Sequence, residues 1–272
     1  MSEEVRPPEP DGATERTLCS GARDLLVREE PLVLDVHGQQ LLTMRTPGQD
    51  ADLALGFLLG EGIIEHANDV GAIALRPGNT IEPRTDEVQI TLARGPDARV
   101  RGRLARTHEI RSSCGICGLA DPQQILEGTP PLLPGVPKLR AGIVPRLVEL
   151  LQQHQPLFAA TGGCHGALLA TADCRVLGHG EDIGRHNALD KAIGMAARAG
   201  ADLAHAIAVL SGRAGYDLVV KCLRVRIPIL ISVSAPSSLA FDLCSAAGAT
   251  LLGFARGNQS KVYCGEERLL RD

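Results

Sequence analysis

A pair of cysteines separated by two residues is the first feature of the chain that could do chemistry. Cys114 and Cys117 lie in the stretch RSSCGICGLADP, residues 111–122, and a glycine follows each of them. None of the other cysteines forms a second pair with this spacing. A structural zinc site usually takes four ligands from two close pairs, and the adjacent Cys164 and His165 would make a poor second pair. Zinc binding is therefore an incomplete interpretation of this motif.

The same pair could act as a redox dithiol or could carry a sulfur atom. A thioredoxin-like dithiol is expected at the start of a helix that follows a strand, whereas this stretch is rich in serine and glycine and indicates neither element. A cysteine that carries sulfur as a persulfide must be accessible and must lie in electropositive surroundings. The flanking glycines and Arg111 fit this requirement, and Cys117 could receive the sulfur or release it by forming a disulfide with Cys114. An inert turn is the remaining alternative.

Four further polar clusters lie in or beside predicted loops of the second half of the chain. They are TGGCHGA at 161–167, GEDIGRHNALDK at 180–191, LSGRAG at 210–215 and GFARGNQ at 253–259. Taken alone, the first is best explained as a tight turn with a buried cysteine, and the last as a polar hairpin loop. On a helix, four polar side chains of the second cluster share one face, which is either solvent-exposed or part of a site: His186, Asn187, Asp190 and Lys191.

Three arginines in these loops and helix starts indicate anion binding. Arg213 follows a serine and a glycine at the start of a predicted helix, where backbone amides and a guanidinium suit a phosphate group. Arg185 and Arg256 occupy comparable positions in the second and fourth clusters. Strand-end loops of an α/β sheet are also the usual ligand-binding positions. The sequence therefore predicts a polar, anion-binding edge on the second half of the chain.

Composition excludes several classes of function. The net charge of −4 argues against a general nucleic-acid-binding surface, and no apolar run approaches the ~18 residues that a membrane helix needs. The acidic, proline-rich start predicts a disordered tail over residues 1–17 with no signal peptide. We therefore expect a cytoplasmic protein with reduced thiols that binds neither nucleic acid nor membrane.

Hydrophobic patterning predicts two folded units. Residues 18–107 indicate a smaller N-terminal α+β domain with a hairpin around a His-Gly turn, a helix and further strands, among them RVRGRLA at 99–105. Residues 108–140 contain the cysteine motif and a proline-rich connector. In residues 141–272, strands alternate with helices, which predicts an α/β domain with a mostly parallel sheet and helices on both faces.

Taken together, the motifs resemble one family, the formate dehydrogenase accessory sulfurtransferases called FdhD. The resemblance covers the chain apart from its first ~25 residues and the connector, and it rests on seven segments that occur in order: GFLLGEGII, SSCGICG, TGGCHGA, EDIGRHNALDKAIG, SGRAGYDLVVKCL, SAPSSLA and LLGFARG. The combination of SSCGICG with EDIGRHNALDK is the most specific part. At the motif positions only Cys164 occupies a variable slot.

The resemblance implies a sulfurtransferase with a cysteine persulfide intermediate. Cys114 would accept sulfur from a cysteine desulfurase with Cys117 as its companion, and would pass it to the molybdenum cofactor in its bis(molybdopterin guanine dinucleotide) form before insertion into formate dehydrogenase. The resemblance also implies a homodimer and a C-terminal cytidine-deaminase-like three-layer domain. The cofactor-binding segment would be Phe254, Ala255, Arg256, Gly257, Asn258 and Gln259, and we add Arg213, Arg185 and His186 from their loops.

Deamination itself is excluded by the residues. Zinc deaminases use an H-x-E motif followed by P-C-x-x-C, whereas CHGA at 164–167 has no glutamate and the only C-x-x-C comes earlier in the chain. The leading hypothesis is sulfur transfer to the molybdenum cofactor. The alternatives are a cofactor-binding chaperone for formate dehydrogenase without sulfur chemistry and a zinc-binding structural protein.

Overall fold

The structure is a computed structural model that describes residues 10–78, 85–98, 100–104, 126 and 128–270. Cys114 and Cys117 lie outside the described residues, so the predictions for both cysteines stay predictions. Among the helices within these ranges, none is both long enough and apolar enough to cross a membrane.

The N-terminal unit contains a two-stranded and a four-stranded sheet. The four-stranded sheet has the order β4-β3-β6-β5, and helix α1 follows β4. The elements are β1 (Ala13–Thr17), β2 (Arg23–Val27), β3 (Glu30–Val36), β4 (Gln39–Arg45), α1 (Asp50–Gly60), β5 (Val70–Arg76) and β6 (Asp86–Leu92). The predicted hairpin forms between β3 and β4, because His37 and Gly38 both adopt the positive φ angles that a tight hairpin turn requires.

Two expectations for this unit are wrong. Ala13–Thr17, assigned to the disordered tail, form strand β1 because they pair with β2. Residues 100–104, expected in a strand, are helical: Val100 and Leu104 lie one helical turn apart and are both buried, whereas the intervening residues are exposed or partly exposed.

The C-terminal unit is built on a six-stranded sheet with the order β13-β12-β11-β10-β8-β9. Its helices are α2 (Val144–Gln153), α3 (Pro156–Thr161), α4 (Arg185–Arg198), α5 (Tyr216–Arg224) and α6 (Ser238–Ala247). Its strands are β8 (His165–Ala170), β9 (Val176–Asp182), β10 (Ile207–Leu210), β11 (Ile229–Ser232), β12 (Thr250–Arg256) and β13 (Gln259–Cys264). A separate short pair joins β7 (Leu139–Arg140) to β14 (Leu269–Leu270).

The prediction of a mostly parallel sheet is wrong. Only the pairs β10–β11 and β11–β12 are parallel, whereas β8–β9, β8–β10 and β12–β13 are antiparallel. The physical reason is that short turns, around residues 171–175 and 257–258, join β8 to β9 and β12 to β13. A turn of this length can only join antiparallel neighbours, since a parallel pair needs a long crossover.

The six-stranded sheet lies between two helical layers, as predicted. One face packs against α4, α5 and α6 in a core that continues into α1 and the four-stranded sheet. The opposite face packs against α2 in a second, smaller core. The fold is thus a mixed α/β arrangement in which both units share one hydrophobic core. The comparison with a cytidine-deaminase fold stays a prediction.

Candidate functional site

The four polar loops predicted from the sequence meet at one edge of the six-stranded sheet. His165 at the start of β8 pairs with Asp182 at the end of β9, and Leu210 at the end of β10 pairs with Ala167. Because β10, β11 and β12 are parallel, their carboxyl ends also reach this edge. We call the loops at 161–165, 182–186, 211–215, 232–237 and 254–259 the loop edge.

Two serines that the sequence reasoning missed hold the loop edge together. The backbone amide of Gly166 donates to Ser211 Oγ at 2.9 Å, and the Ser211 amide donates to the carbonyl of Gly166 at 3.0 Å. The buried Ser232 hydroxyl lies 2.7 Å from the carbonyl oxygen of Gly212, within hydrogen-bond distance. These bonds fix the loop after β10 between the start of β8 and the loop after β11. The sequence pattern that could have identified them is a serine next to an apolar strand: Ser211 directly follows β10, and Ser232 ends β11.

The predicted cofactor-binding segment forms the hairpin turn between β12 and β13. Phe254 has the positive φ of 52° at an irregularity of this strand pair, and its amide donates to the carbonyl of Ser234 at 3.0 Å. Its ring is 40% exposed and has Lys261 Nζ 5.1 Å from its centroid. Arg256 Nε donates to the carbonyl of Val233 at 2.9 Å.

The remaining members of that segment divide into exposed and buried residues. Gly257, Asn258 and Gln259 are exposed at the tip of the hairpin. Ala255 is fully buried in the second core, so its side chain cannot contact a ligand. Only its backbone could take the predicted role.

Arg185 and His186 lie at the first turn of α4 and meet the same carboxylate. Arg185 Nη2 lies 3.1 Å from Asp217 Oδ2, and His186 Nε2 contacts the same oxygen. Burial alone would raise the pKa of Asp217, but the His186 hydrogen bond, the Leu218 amide and the charge of Arg185 lower it below its usual range. Arg213 is exposed on the neighbouring loop. The sequence reasoning had predicted Arg185, His186 and Arg213 as site residues but not Asp217.

The polar face of α4 is not solvent-exposed. Asn187, Asp190 and Lys191 are all buried, because the N-terminal unit covers them. Lys191 Nζ lies 2.8 Å from Asp182 Oδ2 and donates to the carbonyl of Thr46 at 2.8 Å. Of the two alternatives for this face, solvent exposure is therefore wrong for three of its four residues. These three residues hold the two units together instead.

Asp182 is the centre of this buried network. Its carboxylate accepts hydrogen bonds from the Thr46 amide at 3.0 Å, from the Gly184 amide at 2.9 Å and from Asn187 Nδ2 at 3.1 Å. With Lys191 it forms a fully buried ion pair whose remaining lone pairs are satisfied. Loss of either partner of such a buried pair would leave an uncompensated charge in the core. Here the pair fixes the start of α4 at the loop edge.

A second buried ion pair is made by Asp190, the residue directly before Lys191 on α4. Lys221 Nζ lies 2.9 Å from Asp190 Oδ2 and 2.9 Å from Glu61 Oε1. Burial raises the pKa of Asp190 to about 6, although the charge of Lys221 opposes this shift. This pair joins α4 to α5 and to the end of α1, and it has no exposed face for chemistry.

The TGGCHGA cluster contains a buried thiol and an open cleft. Cys164 Sγ lies 3.3 Å from Glu181 Oε1, and burial, together with this carboxylate, raises the pKa of the thiol. Cys164 is therefore no candidate nucleophile, as the tight-turn interpretation expected. His165 lines a cleft of about 620 Å³ with Gln155, Phe158 and Ser211. Burial and the charges of Arg185 and His186 lower the pKa of His165, which keeps its imidazole neutral.

The described residues contain no group of three or more His, Cys, Asp or Glu side chains that could hold a metal ion. Since Cys114 and Cys117 are not among these residues, the zinc hypothesis for that motif stays open.

Comparison with known proteins decides the family. A model of the FdhD/NarQ family matches residues 27–270. The chain belongs to the FdhD/NarQ family. A protein of Anaeromyxobacter dehalogenans named sulfur carrier protein FdhD is 43% identical over 96% of this chain and 95% of its own length. A Streptomyces avermitilis protein of the same name is 38% identical over 90% of this chain and 89% of its own length. The family resemblance read from the motifs is thus confirmed.

A solved structure shares the fold of this FdhD/NarQ chain. The crystal structure of a Desulfotalea psychrophila protein, described as a candidate formate dehydrogenase accessory protein, matches with a TM-score of 0.71. The match covers 95% of this chain and 97% of the other, at 24% sequence identity. At this identity the similarity concerns the fold alone.

Proposed function

We propose that this protein is a sulfur carrier that accepts persulfide sulfur from a cysteine desulfurase and transfers it to the molybdenum cofactor, in its bis(molybdopterin guanine dinucleotide) form, for formate dehydrogenase. The observation that carries the proposal is the identity of 43%, over nearly the whole chain, with a protein named sulfur carrier. The relative described as an accessory protein supports formate dehydrogenase as the recipient.

The first chemical step is transfer of a sulfane sulfur to Cys114. The Cys114 thiolate attacks the outer sulfur of the desulfurase persulfide, a new sulfur–sulfur bond forms, and the desulfurase cysteine leaves as a thiolate. The outer sulfur atom changes partner and no net oxidation occurs. Cys117 would then relay the sulfur, or would attack the Cys114 persulfide, so that the two cysteines form a disulfide and the outer sulfur leaves as sulfide.

The chemistry of the loop edge supports binding of the molybdenum cofactor as cargo. This cargo carries guanine groups and pyrophosphates, so it needs cations and hydrogen-bond donors close together. Arg185, Arg213 and Arg256 all lie on the loop edge, and a guanidinium binds phosphate oxygens with charge-assisted hydrogen bonds. The exposed ring of Phe254 offers a flat apolar surface beside them. A homodimer in the cytoplasm, where thiols stay reduced, completes the proposal.

Persulfide mapping by mass spectrometry tests the sulfur chemistry. The full chain is incubated with a cysteine desulfurase and cysteine, and the peptide that contains Cys114 is examined for one additional sulfur atom. We expect the wild type and Cys117→Ala to carry it and Cys114→Ala to lack it. Cys19→Ala is a matched control, because Cys19 is an exposed free cysteine outside the motif.

Maturation of formate dehydrogenase is measured with the same variants in cells. We expect Cys114→Ala to abolish formate dehydrogenase activity and Cys19→Ala to leave it unchanged. If Cys114 never carries sulfur while Cys114→Ala still matures the enzyme, the sulfur-carrier proposal fails and the chaperone alternative replaces it. Stoichiometric zinc that is lost in Cys117→Ala would instead favour the structural zinc alternative.

A further inference from the structure

Asp217 is a partly exposed acidic residue directly beside the loop edge, next to Arg185. It occupies the first turn of α5, and its side chain is 22% exposed. One carboxylate oxygen, Oδ2, meets both Arg185 Nη2 at 3.1 Å and His186 Nε2. The other oxygen, Oδ1, accepts the backbone N–H of Leu218 at 2.9 Å. Both oxygens of the carboxylate are therefore engaged by groups of the protein.

The two side chains that Asp217 contacts are partly exposed to solvent. His186 is 38% exposed and Arg185 is 39% exposed. In the part of the chain that the structure describes, Asp217 is the sole hydrogen-bond partner of both side chains. The Nδ1 edge of the imidazole and the other guanidinium N–H groups are thus available to a ligand.

The ionisable groups around Asp217 differ in whether their charge is paired. His165 from β8 is kept neutral in part by the charges of Arg185 and His186, while Asp182 and Asp190 are neutralised by buried lysines. Asp217 stays ionised well below neutral pH, because its bonds to His186, to the Leu218 amide and to Arg185 outweigh its burial. An anion at the loop edge would therefore meet an ionised carboxylate, which by Coulomb's law alone opposes its binding.

We propose that Asp217 is a positioning residue of the candidate site: it fixes Arg185 and His186 on one carboxylate and presents the free guanidinium N–H groups of Arg185, with the Nδ1 edge of His186 beside them, to the phosphate groups of the cargo. The inference rests on the proposed function, since that function supplies an anionic cargo. A carboxylate that holds a guanidinium and an imidazole in one geometry removes the ordering cost that long side chains otherwise carry when they bind a ligand. Asp217 itself does not touch the cargo.

Positioning and simple charge make opposite predictions for Asp217→Asn. Removal of a negative charge beside an anion site strengthens anion binding if charge alone decides. Loss of the shared anchor weakens binding if orientation decides, because the asparagine amide keeps the shape but no longer holds the Arg185 and His186 side chains through a charged carboxylate. The sign of the change therefore separates the two accounts.

The experiment measures binding of inorganic pyrophosphate to the full chain by calorimetry. We expect Asp217→Asn to weaken binding by about tenfold, the loss of roughly one oriented charged hydrogen bond, and Asp217→Glu to restore part of it. Asp202→Asn is the matched control, because Asp202 also pairs with a histidine, His205, at 2.8 Å but on the exposed surface. It should bind as the wild type does. Unchanged or tighter binding by Asp217→Asn, or no binding by the wild type, overturns the inference.

Histidine resonances provide a second readout that a loss of folding cannot imitate. In nitrogen NMR spectra of histidine-labelled protein, we expect the His186 ring signals to shift in Asp217→Asn while those of His205 stay in place. Unchanged His186 signals would show that Asp217 does not hold the imidazole. Persulfide loading of Cys114 is measured separately. Normal loading, combined with pyrophosphate binding by Asp217→Asn equal to that of the wild type, would reject the role of Asp217 and leave the proposed function intact.

Discussion

The crossing of α1 and α4 gives the sharpest prediction about how the two units are held together. Gly194 on α4 faces the backbone of Asp52 on α1, and Gly56 on α1 faces the backbone of Asp190 on α4. A Cβ at Gly194 would lie 1.9 Å from the Asp52 carbonyl oxygen, and a Cβ at Gly56 would lie 1.8 Å from the Asp190 carbonyl oxygen. The two helices therefore touch through glycines in both directions. We expect Gly194→Ala to force them apart.

The magnitude follows from two opposing effects. To restore an ordinary contact distance, the helices must separate by roughly 1.5 Å, and the clashing atom belongs to the backbone and cannot rotate away. Overpacking of this kind costs about 3 kcal/mol, at the upper end of its usual range. Alanine returns about 1 kcal/mol through its better helix propensity. The net loss of about 2 kcal/mol corresponds to a fall in Tm of about 4–8 °C for a chain of this size.

Thermal unfolding followed by circular dichroism measures this loss. Gly102→Ala is the matched control, since Gly102 is also helical and a Cβ there would have no atom of the described residues within 4 Å. It should raise stability by up to about 1 kcal/mol, because only helix propensity changes. If Gly194→Ala melts at or above the wild-type temperature, in step with Gly102→Ala, the close crossing of α1 and α4 is refuted.

Three further predictions concern the network, the pH response and the loop edge. Lys191→Met should lower the free energy of unfolding in urea by about 3–5 kcal/mol, because it leaves the buried carboxylate of Asp182 uncompensated. Arg146→Ala, which removes the exposed ion pair with Glu149, should cost less than about 1 kcal/mol, and equal losses would contradict the network. Burial lowers the pKa of His179 below the ordinary histidine value of 6.5, so the unfolded chain takes up the proton first and stability falls as pH drops below 6.5. Urea titrations across this range should show a shallower fall for His179→Gln, and an unchanged slope would refute this. Phe254→Gly should change the free energy of unfolding by less than about 1 kcal/mol, since relief of the positive φ offsets the flexibility of glycine. The same variant should lower formate dehydrogenase maturation. A large loss of stability would contradict this prediction.

Several parts of the fold could be predicted from local sequence alone. The β3–β4 hairpin can be predicted from the alternation of apolar residues on both sides of His37 and Gly38. Successive side chains of a strand point to opposite faces of the sheet, and these two turn residues adopt positive φ angles. The position of the polar loops at one edge of the sheet can be predicted because these loops follow buried strands, and the carboxyl ends of parallel strands lie at the same edge. The family follows from motifs whose residues are close in sequence. Each of these signals depends on neighbours within a few positions.

The fate of the α4 polar face could not be predicted in this way. The spacing of Asn187, Asp190 and Lys191 correctly places them on one side of a helix, but it does not say what lies opposite. Residues 44–46 and helix α1, more than a hundred positions earlier, cover that side and turn it into a buried network. An exposed polar face and a buried, paired one have the same local pattern.

The sequence by itself determined which residues could do chemistry: the Cys114–Cys117 pair, the arginines of the loops and the turn at 254–259. Only the tertiary structure decided how those residues are supported. In the folded chain, β8 and β10 are antiparallel neighbours, and Asp217 of α5 contacts Arg185 and His186 of α4. The side chain of Ala255 is buried in the core. The physical reason is that periodicity and motif spacing describe contacts along the chain, whereas burial and charge pairing depend on segments that are distant in sequence and adjacent only after folding.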